Sequence, residues 1–473
     1  MTTTEALPTG FDNPAFRAVR TRNWLVLGFL YAAFYMSRYN FAAVMTNLAG
    51  AFGWTNTELG IFETTMPLVY GLSVVFNGPI ADRIGGRKAF LFGALGVVVM
   101  NLLFGLCTSF VDVPAVVVGK GHDAHVITAA VLKHGFAPRS LLLLMAAIWG
   151  ANGYFQSFGA LSIVKVNAHW FHVRERGTFA GIFGVLIRFG LILAFSGVPA
   201  IATVLPLQYA FWIPALVVAM LFALNYLFLR DSPLAAGFSD LDTGDGQQEK
   251  EGEASKPSSL GFVLKTVFAS PVTWTIALGS MMIGMVRRST IDSWYPKYFK
   301  EVHLRDATAS LASYVPYQTA AWGIALLGIA GGFAFGMTSD RVFKGRRAPV
   351  IFFGFVGMAL VLGLFGLIDR IGVGPWAAAL CLPLLSIFVN GAHAMIGGAA
   401  SMDFGGRKAA ATAAGLFDGM QYLASSLVGI GMGFTLDTWG WKAWQFVPIP
   451  FAVVGALLMT RIWHATPRGR SAH

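Results

Sequence analysis

Twelve apolar runs of about 20 residues recur along this chain, the first at 24–46 and the last at 441–462. A helix rising about 1.5 Å per residue crosses the ~30 Å of hydrocarbon in a bilayer with roughly 20 residues, so each run reads as a membrane-spanning helix. The chain is 12% charged, about half of what a soluble domain carries, and its 55 glycines suit transmembrane helices. The expected fold is therefore an all-α polytopic membrane protein embedded in a lipid bilayer.

Lysine and arginine in the connections set an expected orientation. Arg17, Arg20 and Arg22 precede the first span; Arg83, Arg87 and Lys88 follow the second; Arg174 and Arg176 the fourth; Arg341, Lys344, Arg346 and Arg347 the eighth; Arg407 and Lys408 the tenth. The connections after spans one and five carry neither residue type. Both termini are thus expected in the cytoplasm, and the formal charge of +11 reflects topology, not a nucleic-acid partner. The first apolar run is too long for a cleavable signal peptide and leads into more spans. Cys107 and Cys381 fall in apolar runs of different halves, which argues against a disulfide, and no cysteine spacing suits a metal. His122, Asp123, His125 and His134 are spaced too loosely for a metal site and read as a solvated loop. No metal and no cofactor are expected. No phosphate-binding loop and no set of nucleophile, base and metal at membrane depth is present, so an enzyme is not expected.

The chain is internally duplicated. GPIADRIGGRK (Gly78 to Lys88) follows the second span and GMTSDRVFKGRR (Gly336 to Arg347) follows the eighth. Gly78, Asp82, Arg83, Gly86 and Arg87 thus find partners in Gly336, Asp340 and Arg341, as loops suited to a conformational hinge. The offsets agree between halves: 250 residues from Arg38 to Arg288, and 258 from Asp82 to Asp340. The expected organisation is a tail at 1–23, a six-helix bundle at 24–230, an acidic, Ser/Gly-rich cytoplasmic linker at 231–261, and a second six-helix bundle with a short tail at 262–473. One chain carrying both bundles is expected to work as a monomer.

Arg38 and Arg288 sit near the middle of equivalent spans. A guanidinium in hydrocarbon costs at least ~3 kcal/mol on insertion scales, so each must face protein, water or an anion. Arg38 lies fourteen residues from Trp24, roughly 21 Å of helix, beyond easy snorkelling range. Two arginine forks at matching places suggest a two-sided clamp for an anion, since arginine grips carboxylate or phosphate bidentately and lysine does not, and a phosphorylated small molecule is the leading reading. Arg287 lies about 100° around the helix from Arg288 and reads as a supporting charge. Asp292, one turn after Arg288, is expected to orient it. Arg188 is deep in the fifth span and either reads substrate or pairs with Glu63 or Asp418. Lys165 and His169, one turn apart on one face, are further binding candidates, as are the tyrosines Tyr35, Tyr70, Tyr317 and Tyr422 along the cavity.

The Gly78–Lys88 loop resembles the signature of the major facilitator superfamily. Four further segments sharpen the resemblance: YAAFYMSRYNF (Tyr31 to Phe41), KVNAHWFHVRERG (Lys165 to Gly177), RRSTIDSWYPKYFKEV (Arg287 to Val302) and RKAAATAAG (Arg407 to Gly415). Together they resemble the organophosphate:phosphate antiporter family, which includes glycerol-3-phosphate and hexose-phosphate transporters. The resemblance implies twelve helices in two bundles and an inner-membrane exchange of a phosphate ester for inorganic phosphate. It also implies phosphoryl contacts from Arg38 and Arg288, with His169, Lys165, Asp292 and Trp294 at further family positions. The chain departs from the pattern at Tyr39 and Val74, where one branch has lysines, at Arg188, and in a long outer loop from Thr108 to Arg139. A membrane sensor of sugar phosphate and a proton-coupled organic-anion carrier are the alternative classes.

Overall fold

Asn13 starts the first helix: its side chain accepts a hydrogen bond from the N–H of Ala15, and Pro14 occupies the first turn, where a missing N–H costs nothing. The computed structural model describes residues 13–112, 115–118, 125–128, 131–132, 138–172, 175–239, 243, 271–304 and 309–465. Most of the expected linker at 231–261, and His122, Asp123 and His134, lie outside these residues.

Helix α1 spans Pro14–Ala43 and begins ten residues before the apolar run. A short helix, Met45–Phe52, leads to α2 (Asn56–Ile84) and α3 (Gly86–Ser109). Next come α4 (Pro138–Trp170), α5 (Arg176–Ile192) and α6 (Tyr209–Phe228). Helix α5 continues through a wide π turn, Leu193–Gly197, into Val198–Val204. The second half holds α7 (Pro271–Ser289), α8 (Val315–Arg341), α9 (Arg347–Arg370), α10 (Pro375–Ala394), α11 (Ser401–Trp439) and α12 (Ile449–Arg461). Each of these twelve helices overlaps one of the twelve apolar runs. The long loop after α3 carries two short antiparallel ladders, Val111–Asp112 with Val131–Leu132 and Ala115–Val118 with His125–Thr128.

Among the described residues, eight helices are apolar enough over 18 residues to cross a membrane by composition alone. The four that are not are α1, α2, α7 and α11. They carry Arg38, Glu63, the Arg287–Arg288 pair and Asp418. Polarity is therefore concentrated on helices that face one another, because a charge directed at lipid would have no partner. Helix α2 runs along α11, α7 also packs on α11, and α5 meets α8.

Glycine makes the α2–α11 contact close. A Cβ at Gly60 would stand 2.5 Å from the Gly429 carbonyl oxygen, and one at Gly429 would stand 2.5 Å from the Thr64 nitrogen. Near this crossing the Thr64 hydroxyl donates to the Ser426 carbonyl at 2.7 Å and accepts from the Ile430 N–H at 3.0 Å.

At the same end of the bundle, Asp437 of α11 caps α2. Its carboxylate accepts from the N–H groups of Asn56 and Thr57 at 3.0 and 2.7 Å, and from their side chains at 2.8 and 2.6 Å. On the other side, Ser196 donates to Gln318 at 2.7 Å, the Tyr317 hydroxyl donates to the Phe195 carbonyl, and the Thr203 and Ser310 hydroxyls lie 2.6 Å apart. The two halves are joined at this end.

At the opposite end the duplicated loops form tight turns. Gly85, between α2 and α3, has φ +92°, and Gly345, between α8 and α9, has φ +85°, both in the region that side chains avoid. Arg347 holds the second turn by reaching Asp340 at 2.7 Å and the Ser339 hydroxyl at 2.9 Å. Gly78 and Gly336 lie about two and about two and a half turns before these bends, and Arg83 and Arg341 are exposed beside them.

Candidate anion site between the two halves

Arg38 is buried on α1 and, among the described residues, is held by neutral groups alone. Its Nε and Nη2 donate to Gln156 Oε1 of α4 at 3.4 and 3.2 Å, and Nη1 donates to the Tyr422 hydroxyl of α11 at 3.1 Å. The rings of Tyr35 and Tyr70 flank the guanidinium, each centroid 4.7 Å away, so cation–π attraction supplies part of what lost hydration took. Gln156 is itself oriented by donating to the Phe34 carbonyl at 3.1 Å. Among the described residues no carboxylate lies within 4.0 Å of Arg38.

Arg288 is paired. Its Nη2 lies 2.7 Å from Glu63 of α2, whose side chain is 2% exposed, and Ser293 donates to the same carboxylate oxygen. The expected Asp292 partner has gone to the neighbouring arginine: Arg287 Nε lies 2.7 Å from Asp292 Oδ2, close but without hydrogen-bond alignment. The physical reason is the end of α7 at Ser289. Beyond it the Arg287 carbonyl accepts from the N–H groups of both Thr290 and Asp292, at 3.3 and 3.1 Å, a wider turn than the α-helical one. The four-residue stacking of Asp292 on Arg288 is lost. Tyr39 closes the group, donating to Asp292 at 3.3 Å and accepting from Arg287 at 3.4 Å. At this position the sequence showed only a missing lysine.

Arg188, half-buried on α5, pairs with neither Glu63 nor Asp418. It donates to the Asn390 side-chain oxygen of α10, and its guanidinium carbon packs 3.3 Å from where a Cβ on Gly328 would stand. Asn390 is held by donating to the Ser386 carbonyl and hydroxyl at 3.0 and 2.8 Å. Asp418 has no ion-pair partner within 4.0 Å among the described residues, but it stands within electrostatic range of Arg287 and Arg38. His393 of α10 faces the same cluster and donates Nδ1–H to Gln421 at 2.9 Å. Gln156, Asn390, Gln421 and His393 had no sequence signal beyond being polar residues in apolar runs.

The structure thus gathers Arg38, Arg188, Arg287 and Arg288 against Glu63, Asp292 and Asp418, with Tyr35 and Tyr422 beside them. Between Tyr39, Arg287, Arg288, Asp292, Gln421 and Tyr422 lies a cavity of about 10 Å³, room for roughly one water molecule. Lys165 and His169 are elsewhere. They lie nine and thirteen residues beyond Gln156 on α4, roughly 13 and 20 Å along the helix. Lys165 donates to the Ala81 carbonyl at 3.1 Å, and exposed His169 stands 3.0 Å from the Lys165 carbonyl. Tyr317 belongs to the joined end of the bundle, not to the arginine cluster.

A family model described as Major Facilitator Superfamily matches residues 27–429. The chain is 26% identical over 472 residues to the glycerol-3-phosphate transporter of Bacillus subtilis (strain 168), covering 98% of this chain and 97% of the relative. It is 25% identical over 468 residues to the membrane sensor protein UhpC of Escherichia coli (strain K12), covering 96% and 94%. It is also 23% identical over 460 residues to the hexose-6-phosphate:phosphate antiporter of Salmonella typhimurium, covering 93% and 89%. Among solved structures, a bacterial homologue of the lysosomal transporter Spinster, inward-facing, superposes with a TM-score of 0.70 at 12% identity over 96% of this chain and 99% of that one. The xylose transporter XylE from E. coli, partially occluded and inward open, gives 0.68 at 14% identity over 96% and 100%. The resemblance read from the motifs and the helical fold are both upheld.

Proposed function

Because this chain belongs to the Major Facilitator Superfamily, as an integral multi-pass membrane protein and not an enzyme, we propose that it exchanges a phosphorylated organic anion for inorganic phosphate by alternating access. The observation that carries this reading is the cross-half arginine cluster, in which, among the described residues, Arg38 and Arg188 have only neutral hydrogen-bond partners while Arg287 and Arg288 have carboxylates. Among the described residues, four cations against three carboxylates leave the site one positive charge in excess, and a phosphate group supplies what is missing.

Helices of both halves contribute: α1, α2, α4 and α5 from the first, α7, α10 and α11 from the second. An anion held between them binds the two halves together, and rocking the halves about it moves it from one side to the other. Return without an anion leaves the excess charge buried, so exchange is favoured over net movement. The joined end carrying Asp437 is then the outer gate, with both termini cytoplasmic. Bacterial relatives support the inner membrane as the location. A site built wholly within one chain supports a functional monomer. Carboxylate-bearing esters are the substrate class that would use Arg188 together with Arg38.

The sensor reading is kept by the similarity to UhpC. Counterflow separates the two. Proteoliposomes loaded with phosphate should accumulate labelled phosphate esters, with little uptake when the lumen lacks any exchangeable anion. Ester binding without counterflow would replace transport by sensing.

A further inference from the structure

A second cavity, of about 430 Å³, opens away from the arginine cluster, between the start of α3 and the end of α6. Its walls are Arg87, Tyr226, Leu227, Arg230, Asp231 and Ala235. The one carboxylate among them is already engaged. Asp231 accepts from the Arg87 backbone N–H at 2.6 Å and lies against Gly85, so it caps the otherwise uncapped start of α3.

Among the described residues, the two guanidinium groups are held by backbone carbonyls and not by acids. Arg87 Nη2 donates to the Tyr226 carbonyl at 2.5 Å, and Arg230 Nη1 donates to the carbonyls of Leu227 and Leu229 at 2.9 and 3.1 Å. Both keep further N–H groups, and Arg87 Nε is buried with no partner among the described residues. Arg22 lies next to this end of α6, its guanidinium 5.2 Å from the Phe228 ring centroid.

The cavity stands where two spans end, at headgroup level. From its mouth the surface of α6 runs toward the bilayer interior as bare apolar side chains. Leu227 is 57% exposed and Leu224, three residues earlier and so on the same face, is 41% exposed. A ligand matching this surface has a negative head and an apolar body, which a free phosphate lacks.

We propose that Arg87 and Arg230 form a binding site for the phosphodiester headgroup of an anionic phospholipid, whose acyl chain lies along Leu227 and Leu224. Two basic side chains at a membrane surface attract such a headgroup whatever the arginine cluster carries, so this site depends only on the chain spanning a bilayer.

Native mass spectrometry of the full-length protein in detergent tests it, with phosphatidylglycerol and phosphatidylcholine as probes. Phosphatidylglycerol adducts should survive activation that strips phosphatidylcholine. The double variant Arg87→Gln, Arg230→Gln should bind phosphatidylglycerol roughly thirty-fold more weakly, whereas Arg87→Lys, Arg230→Lys should keep most of the binding. Equal retention of the two lipids by the native protein would overturn the proposal. So would unchanged retention in the glutamine pair, or displacement of the lipid by excess inorganic phosphate, which would mark a soluble-anion site. Should the glutamine pair fail to fold, the lipid comparison and the lysine pair still decide.

Discussion

Glu63 of the first half and Arg288 of the second form a buried ion pair at 2.7 Å, so the arginine that the duplication marks as half of a clamp is already occupied by a carboxylate of the protein. In the proposed exchange, substrate phosphate and Glu63 would compete for one guanidinium. On that proposal the carboxylate would act as a tethered anion in the place of the phosphate; the cavity beside it has room for about one water molecule.

Glu63→Gln removes that competitor and leaves Arg288 buried without its counter-ion, a loss of about 3–5 kcal/mol when one partner of such a pair is deleted. The purified variant should melt at a lower temperature than the native protein. Adding phosphate should recover more of the difference than it adds to the native protein, because the ligand now supplies the missing charge. Thermal melting at several phosphate concentrations checks this. Equal phosphate-induced shifts in both proteins would show that phosphate does not reach Arg288.

Arg38 makes a three-point contact, two donors to Gln156 and one to Tyr422, between two tyrosine rings. Arg38→Ala should lower the initial rate of phosphate counterflow by about a hundredfold or more while the protein still reaches the membrane. Arg38→Lys should recover little, since an ammonium cannot reproduce the planar fork or its stacking. Native-like counterflow in the lysine variant would remove the fork from the mechanism.

The residues that could be read from the sequence were those whose cost does not depend on their neighbours. A guanidinium fourteen residues into an apolar helix must be accommodated by something, so Arg38, Arg188 and Arg288 stand out whatever the fold. Their partners were not legible. Glu63 meets Arg288 only because the α2–α11 and α7–α11 packings bring α2 against the end of α7, and nothing periodic in either segment reports that contact. Asp292 was misassigned for a different reason: helical spacing was carried past Ser289, where the backbone widens. The neutral amides Gln156 and Asn390 look like any polar residue in a span. The fold was easier, because helix length and apolar content follow from the bilayer itself.

Arg188 and Asn390 join α5 to α10 without a carboxylate. Arg188→Gln therefore strands no buried acid, and the variant should express and melt close to the native protein. Its loss should fall on substrate choice. In counterflow, esters bearing a carboxylate should lose roughly tenfold or more in apparent affinity, while phosphate–phosphate exchange is largely kept. An unchanged ester panel would remove Arg188 from substrate recognition, and a collapse of expression would point to a structural role instead.

Asp437 offers the test of the gate. Four donors from Asn56 and Thr57 converge on its carboxylate, tying the last turn of α11 in one half to the first turn of α2 in the other. Opening this end requires those bonds to break, and a helix cap of this kind is worth about 1 kcal/mol, more where the acceptor is charged. Asp437→Ala removes every acceptor, and Asp437→Asn keeps one oxygen and loses the charge. Both should shift the balance toward the state open at this end, alanine further than asparagine. The reporter is Ser426→Cys, placed at the α2–α11 crossing beside Thr64, since the native Cys107 and Cys381 are buried. Labelling by a membrane-impermeant maleimide from outside should be roughly fivefold faster in the alanine background, because about 1 kcal/mol corresponds to that change in population. Saturating phosphate should narrow the difference if the anion favours a closed site. Identical labelling rates in the native, asparagine and alanine backgrounds would show that the Asp437 contact does not govern opening at this end.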